Sequence, residues 1–167
     1  MAVTITKPQI NVREKLKELD FETVPFQKMP SGSVIQVVGN TFNNLNTVQT
    51  NLQTYQSTGV EIDITPHFSN SFIVVNAMAN VEVENLNGIR VSISRNGTSL
   101  LEGGFGSQRV YVHDGDTHNI ATLIAVDRPQ TTLNLNYEFV FKSDSGNSVK
   151  FRGSVGGQTI TAMEIAQ

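Results

Sequence analysis

Hydrophobic and polar residues alternate along residues 131–142, and this pattern predicts a β-strand with one buried face and one solvated face. The apolar side of the extended chain would carry Leu133, Leu135, Tyr137, Phe139 and Phe141. The other side would carry Thr132, Asn134, Asn136, Glu138 and Lys142, with Val140 as its only apolar residue. Burial of each aromatic side chain contributes roughly 1.5 to 3 kcal/mol. A long strand with one polar face favours an antiparallel sandwich or barrel over a parallel α/β sheet.

Alternation recurs over residues 72–84 and predicts a second long strand. Its apolar face holds Ile73, Val75, Ala77, Ala79, Val81 and Val83. The small alanines predict close packing of another sheet or subunit there. Further strands are expected over residues 34–38, 60–64, 89–93, 109–113, 119–126, 149–152 and 158–165.

Two turns separate predicted strands. Asn96-Gly97 suits a two-residue type I′ turn, which would place Ile93 opposite Leu100. The second turn, over residues 143–147, reads as a hairpin tip because it contains Ser, Asp, Gly and Asn. About eight short strands at regular spacing predict an all-β, antiparallel jelly-roll sandwich.

The N-terminal part differs from the rest because its pattern is helical. Asn11 and Glu14 form a capping box, and apolar residues at i, i+4 and i+7 predict a short amphipathic helix over residues 12–20. A helix this short is marginal alone in water, so its apolar stripe must dock. It would either anchor the chain in a partner protein or cap its own domain. The predicted partner-docking face is Val12, Leu16, Leu19, Val24, Phe26 and Met29.

Three segments follow from these patterns. Residues 1–30 form an N-terminal anchoring extension with the short helix, residues 31–58 a polar connecting segment with one strand, and residues 59–167 the jelly-roll domain. Within residues 39–58, apolar spacing of three and four suits a helix. The Asn- and Thr-rich composition suits a loop followed by a polar strand equally well.

Composition excludes several classes of function. The formal net charge of −3 and the 16% content of charged residues provide no basic field for nucleic acid or an anionic membrane. The absence of cysteine excludes disulfides, thiolate catalysis and cysteine-ligated metal. No apolar run has the length of a signal peptide or a membrane span, so a soluble protein made in a cytosol is expected.

Residues 113–118 contain the one group of side chains that suggests a metal-binding site. His113, Asp114, Asp116 and His118 could hold a divalent metal if the loop folded back on itself. An Asp-Gly hairpin turn with a polar tip is the favoured reading, because the spacing matches no known metal loop. His67 reads as a loop residue. No nucleophile elbow or carboxylate pairing is recognisable, so neither an enzyme nor a bound cofactor is expected.

Five motifs in order carry a family resemblance. They are GSVIQVV at 32–38, IDITP at 62–66, RNGT at 95–98, DRP at 127–129 and TITAMEI at 159–165. Over about residues 31–167 the chain resembles a family of bacteriophage virion proteins, which recur as terminal domains of tail fibres in phages of marine bacteria. The resemblance implies a jelly roll similar to tumour necrosis factor, a trimeric state, and adhesive or structural duties.

The expected function is therefore that of a non-enzymatic virion structural protein made in the host cytoplasm. No long fibre shaft is present, which favours a short tail fibre or fibre-tip trimer that other virion proteins hold through its N-terminal segment. The alternatives are a capsid decoration or head-fibre protein, and a carbohydrate-binding module that recognises a host-surface glycan. Phe105, Tyr111 and His113 would form the receptor-facing loop, with Phe68 as a further loop aromatic. The absence of tryptophan weakens the glycan hypothesis.

Overall fold

A computed structural model describes residues 26–83, 87–101, 108–112 and 117–167. Eleven strands and one short 3-10 helix lie in this part of the chain. The helix is η1 (Phe26–Lys28), and the strands are β1 (Val34–Phe42), β2 (Val48–Thr50), β3 (Gln56–Ile64), β4 (Phe72–Val83), β5 (Asn87–Arg95), β6 (Thr98–Ser99), β7 (Gln108–Val112), β8 (Thr117–Asp127), β9 (Leu135–Ser143), β10 (Val149–Phe151) and β11 (Gln158–Ile165).

The strands form two antiparallel sheets that pack as a sandwich. In sheet A the order is β1-β11-β4-β10-β2, and β8 pairs with the other edge of β4. In sheet B the order is β3-β9-β5-β6, and β7 also pairs with β5. Without the short strands β2, β6 and β10, the two orders become β1-β11-β4-β8 and β3-β9-β5-β7. This interleaving is the jelly-roll topology, so the predicted fold class is confirmed.

The core lies between the two sheets and follows the predicted alternation of β4. All six apolar side chains on its predicted inner face are at most 1% exposed. Ala77 and Ala79 are among them, so their small size permits close approach of sheet B and does not mark a contact with another subunit.

Strand β9 keeps most of its predicted register. Leu135, Tyr137, Phe139 and Phe141 are buried in the core as expected. Leu133 is 74% exposed, contrary to the prediction, because the strand begins only at Leu135. The Leu133 backbone N–H instead bonds to the Thr131 hydroxyl in a preceding turn.

One predicted hairpin is present and another is not. Asn96 and Gly97 have φ values of 48° and 80°, and the Leu100 N–H donates to the Ile93 carbonyl at 2.8 Å, as a type I′ hairpin requires. Residues 143–147 do not close a hairpin, because β9 lies in sheet B and β10 in sheet A. Strands β7 and β8, on either side of residues 113–116, also lie in different sheets. The prediction that these residues connect the two strands of a hairpin is therefore wrong.

The sandwich begins at Val34, and not near residue 59 as the segment boundaries proposed. Both β1 and β2 are strands of sheet A, where β1 pairs with β11 and β2 with β10. Residues 39–58 form strands and loops in the structure, so the alternative prediction of a helix there is wrong. The helix predicted over residues 12–20 lies outside the described residues.

Candidate assembly surface

The outward face of sheet A carries many apolar side chains among uncharged polar ones. The strand registers align side chains of β1, β11, β4 and β8 in rows, for example Val37, Met163, Val74 and Val126. We define the assembly surface as Val34, Val37, Phe72, Val74, Met78, Ile120, Ile124, Val126, Met163 and Ile165. Its members on β8 are 56 to 65% exposed, and Val37 is 57% exposed. Clustered, exposed apolar side chains are typical of interaction sites.

Strand β8 lies at the edge of sheet A and lacks the usual protection of an edge. Its 11 residues contain no Lys, Arg, Glu or Pro. Within the described part of the chain, only β4 pairs with it, so one side of its backbone has no neighbouring strand. Natural sheets block such edges with charges, prolines or bulges, or cover them. Strand β8 therefore has the properties of an edge that another surface covers.

The centre of the assembly surface is uncharged. Next to the apolar row of Val37, Met163, Val74 and Val126 lie two uncharged, mostly polar rows. They consist of Ile124, Asn76, Thr161 and Gly39, and of Thr122, Met78, Thr159 and Thr41. Charged side chains occur at the two ends of the face. At one end the Arg128 guanidinium lies 4.2 Å from the centre of the Phe72 ring.

At the other end, basic side chains surround Glu82. Its carboxylate accepts hydrogen bonds from Lys150 and Arg152. Burial alone would raise the pKa of Glu82, but the two bases outweigh burial and lower it. The His118 Nδ1 lies 3.8 Å from the carboxylate. This is where the structure places the one predicted metal-ligand candidate that it describes.

The other candidates, His113, Asp114 and Asp116, lie outside the described residues. Among the residues that are described, no group of three or more His, Asp or Glu side chains could hold a metal ion.

A buried carboxylate holds the loop that follows β3. Glu164 on β11 is fully buried and accepts hydrogen bonds from the backbone N–H groups of His67 and Phe68, from the Ser71 hydroxyl at 2.7 Å and from the Gln36 amide at 2.7 Å. Burial alone would raise the pKa of Glu164, but these donors outweigh it and lower the pKa to about 2. Ser71 donates to the carboxylate and makes no bond to His67, so no nucleophile-base pair forms here.

Phe26 and Met29, two residues of the predicted docking face, can be placed. The Phe26 ring lies 4.3 Å from the His67 ring, so this residue contacts its own domain. Met29 is half-buried and follows η1 directly. Val12, Leu16, Leu19 and Val24 lie outside the described residues.

Asp127, in the DRP motif, joins both sheets at one end of the sandwich. It accepts two hydrogen bonds from Arg95 on β5, at 2.9 and 2.8 Å, and one from the Tyr137 hydroxyl on β9 at 2.6 Å. Burial and the bond to Asp127 raise the pKa of Tyr137 far above its ordinary value. The motif thus has a structural role in this chain.

Of the predicted receptor-facing loop, only Tyr111 is described. It is an exposed residue of β7, and the Arg109 guanidinium lies 4.8 Å from the centre of its ring. Phe105 and His113 lie outside the described residues. Phe68 is half-buried near Glu164, so it does not present a free aromatic platform.

The assembly surface was not among the predicted sites, although the pattern of residues 119–126 indicates part of it. Ala121, Leu123 and Ala125 point to the core, while Ile120, Ile124 and Val126 point outward. A strand that is apolar on both sides is expected to be covered on both sides.

Comparison with known proteins gives partial likenesses of fold. No protein-family model and no curated protein sequence matches the chain. Dimeric latent PorU from Porphyromonas gingivalis is similar at 7% identity and a TM-score of 0.48, over 83% of this chain and 13% of that one. The VP2 subviral particle of infectious bursal disease virus is similar at 14% identity and a TM-score of 0.40, over 86% of this chain and 36% of that one.

A second structure, that of the Gx strain of the same virus, is similar at 12% identity and a TM-score of 0.42, over 87% of this chain and 36% of that one. Proteins of a virus particle are thus among the structures with a partly similar fold, and at these TM-scores no functional conclusion follows. Among the described residues, no helix is long and apolar enough to cross a membrane.

Proposed function

We propose that this protein is a non-enzymatic structural protein of a bacteriophage particle, a short tail fibre or fibre tip that assembles as a trimer through the assembly surface. The observation that carries the proposal is the uncharged outward face of sheet A, whose exposed apolar side chains continue onto the open edge of β8. The order of the five sequence motifs supports the assignment to a phage particle.

The size of the assembly surface suits a stable protein contact. Four strands about 4.8 Å apart, followed for about ten residues at roughly 3.3 Å each, give a face of roughly 600 Å². A standard interface buries about 800 Å² on each partner, so this face with its rim is of the right order. Full burial of one exposed Ile or Val contributes roughly 1.5 to 3 kcal/mol before the cost of association.

A second copy of this chain is the occupant that the charges favour. Each copy carries a formal charge of −3, so copies repel one another unless they meet through an uncharged surface. The centre of the assembly surface meets this condition. A strongly charged partner, such as nucleic acid, would find no complementary charge there.

Reconstruction of the phage particle tests the role in the virion. The proposal expects the density of this jelly roll at the tail, in groups of three with the outward faces of sheet A in contact. Density on the capsid would support the head-fibre or decoration role instead. Three-fold groups that meet through sheet B would contradict the proposed surface.

Attachment through the N-terminal segment is a separate part of the proposal. A chain that begins at Phe26 keeps the contact between Phe26 and His67 and is expected to assemble but to be absent from particles. The double variant Leu16→Asp with Leu19→Asp should behave in the same way, because it places charges where apolar burial is required. Normal incorporation of either variant would contradict the anchor, and loss of folding would assign the segment to the core of the domain.

A further inference from the structure

A polar pocket of about 490 Å³ lies on the outward face of sheet B, on the opposite side of the sandwich from the assembly surface. Its floor contains Ser94 and Val140, which are buried although they lie on the outward side of β5 and β9. One wall is formed by residues 53–57 before and within β3, and the other by the β5–β6 turn at residues 97–99. The volume lies in the range of small-molecule binding sites.

Several polar groups in this pocket can form hydrogen bonds with a ligand. The Lys142 ammonium lies 4.4 Å from the centre of the Tyr55 ring, and among the described residues no carboxylate pairs with it. Among the residues that the structure describes, neither the Tyr55 hydroxyl nor the Thr98 hydroxyl has a hydrogen-bond partner. These groups offer donors, and the two hydroxyls also accept.

Glu138 supplies an acceptor at the other side of the pocket. The bulged segment of β3 donates three hydrogen bonds to one carboxylate oxygen, Oε1, from the Ser57 hydroxyl and from the N–H groups of Thr58 and Gly59. These bonds fix the carboxylate in place, while the lone pairs of Oε2 can accept from a ligand. Glu138 and Lys142 are four residues apart on one strand, which corresponds to roughly 13 Å.

We propose that this pocket binds a neutral saccharide. The charges of Glu138 and Lys142 cancel, so the pocket favours neither an anionic nor a cationic ligand. A ligand with many hydroxyl groups can donate to the fixed carboxylate, accept from the ammonium, and exchange hydrogen bonds with the hydroxyls of Thr98 and Tyr55.

Saturation-transfer NMR of the full chain with maltotriose, cellotriose, mannotriose and triacetylchitotriose tests the proposal, with trigalacturonate as the charged comparison. At least one neutral trisaccharide is expected to bind at millimolar concentration and to bind better than trigalacturonate. Lys142→Met keeps the apolar stem without the charge and should weaken that binding by roughly tenfold, the effect of one lost charge-assisted hydrogen bond.

Thr98→Trp provides a second variant that fills the pocket from an exposed turn position and should abolish binding. Thr132→Trp is the matched control, because it introduces the same side chain at an exposed position outside the pocket. The proposal is overturned if no neutral trisaccharide binds, if trigalacturonate binds better, or if Thr98→Trp binds as the control does. The mass of the assembled protein shows whether the trimer forms, independently of saccharide binding. A failure of the proposed saccharide site can therefore be distinguished from a failure of the proposed function.

Discussion

At the residue scale, Glu164 is a charge without contact with solvent, and the groups that donate hydrogen bonds to it make stability dependent on pH. Its folded pKa of about 2 lies below the ordinary value of 4.5. The stabilising contribution is therefore complete above pH 4.5 and is lost as the pH falls from 4.5 toward 2. That difference in pKa corresponds to roughly 3 kcal/mol.

Glu164→Gln should remove this dependence. Denaturant melts are expected to show the variant less stable than wild type by roughly 3 kcal/mol at neutral pH, with the difference shrinking toward pH 2. Glu82 and Asp144 also have lowered pKa values, and the comparison cancels them because both proteins contain them. A constant difference between the two proteins across this range of pH would contradict the assignment.

Strand β9 provides a second test at the residue scale. Phe139→Ala and Leu135→Ala should destabilise the fold by about 3 to 5 and 2 to 5 kcal/mol, because both side chains are buried in the core. Asn134→Ala should lie within roughly 0.5 kcal/mol of wild type, because Asn134 is exposed. If thermal or denaturant melts ranked Asn134→Ala as the most damaging, the register of the strand would be inverted.

Asn136 shows what alternation does not predict. It lies on the polar side of β9, as expected, but its amide donates to Glu61 and to Asp63, each at 3.1 Å. The same pattern that placed Phe139 in the core could not reveal this bridge, because the two carboxylates belong to a strand about 75 residues earlier in the chain. Alternation along a strand shows on which face of the sheet a side chain lies, but it does not show which residues that side chain bonds to.

At the element scale, Gly153 marks the place where β10 leaves sheet A close to the connection between β1 and β2. A Cβ at this position would lie 2.3 Å from the Asn46 carbonyl oxygen and 2.8 Å from the Leu45 backbone. Gly153→Ala should therefore force the backbone apart and cost roughly 1 to 3 kcal/mol in chemical denaturation.

Gly146→Ala is the control for this test, since nothing lies within 4 Å of its added Cβ. It carries only the strain of a φ of 84°, which costs roughly 1 kcal/mol. If Gly153→Ala were the milder of the two changes, the close approach of the two connections would be wrong.

Turn chemistry predicted one connection well and two others poorly. The Asn-Gly pair determines the β5–β6 hairpin because both residues tolerate positive φ. Residues 143–147 contain equally strong turn residues, yet the chain there crosses between sheets. A turn signal shows that the chain bends, whereas the strand that it reaches depends on pairing with distant segments such as β2 and β4.

At the scale of the whole molecule, the jelly roll was predictable because strand number and spacing suffice for it. The assembly surface was not, because its rows combine β1, β4, β8 and β11, which only the sheet order brings together. The pocket on sheet B likewise combines the bulge of β3 with the β5–β6 turn. The outward face of sheet A thus exposes apolar side chains, whereas the outward face of sheet B carries a polar pocket.

Sedimentation equilibrium measures whether three copies of the chain meet through the assembly surface. Wild type at micromolar concentration should have three times the mass of the 18.3 kDa chain. Ile124→Asp should be a folded monomer, because it places a charge in the uncharged centre of the surface. Leu133→Asp, at an equally exposed position away from this face, should remain a trimer. A wild type that sediments as a monomer, or an Ile124→Asp variant that remains a trimer, would contradict the account.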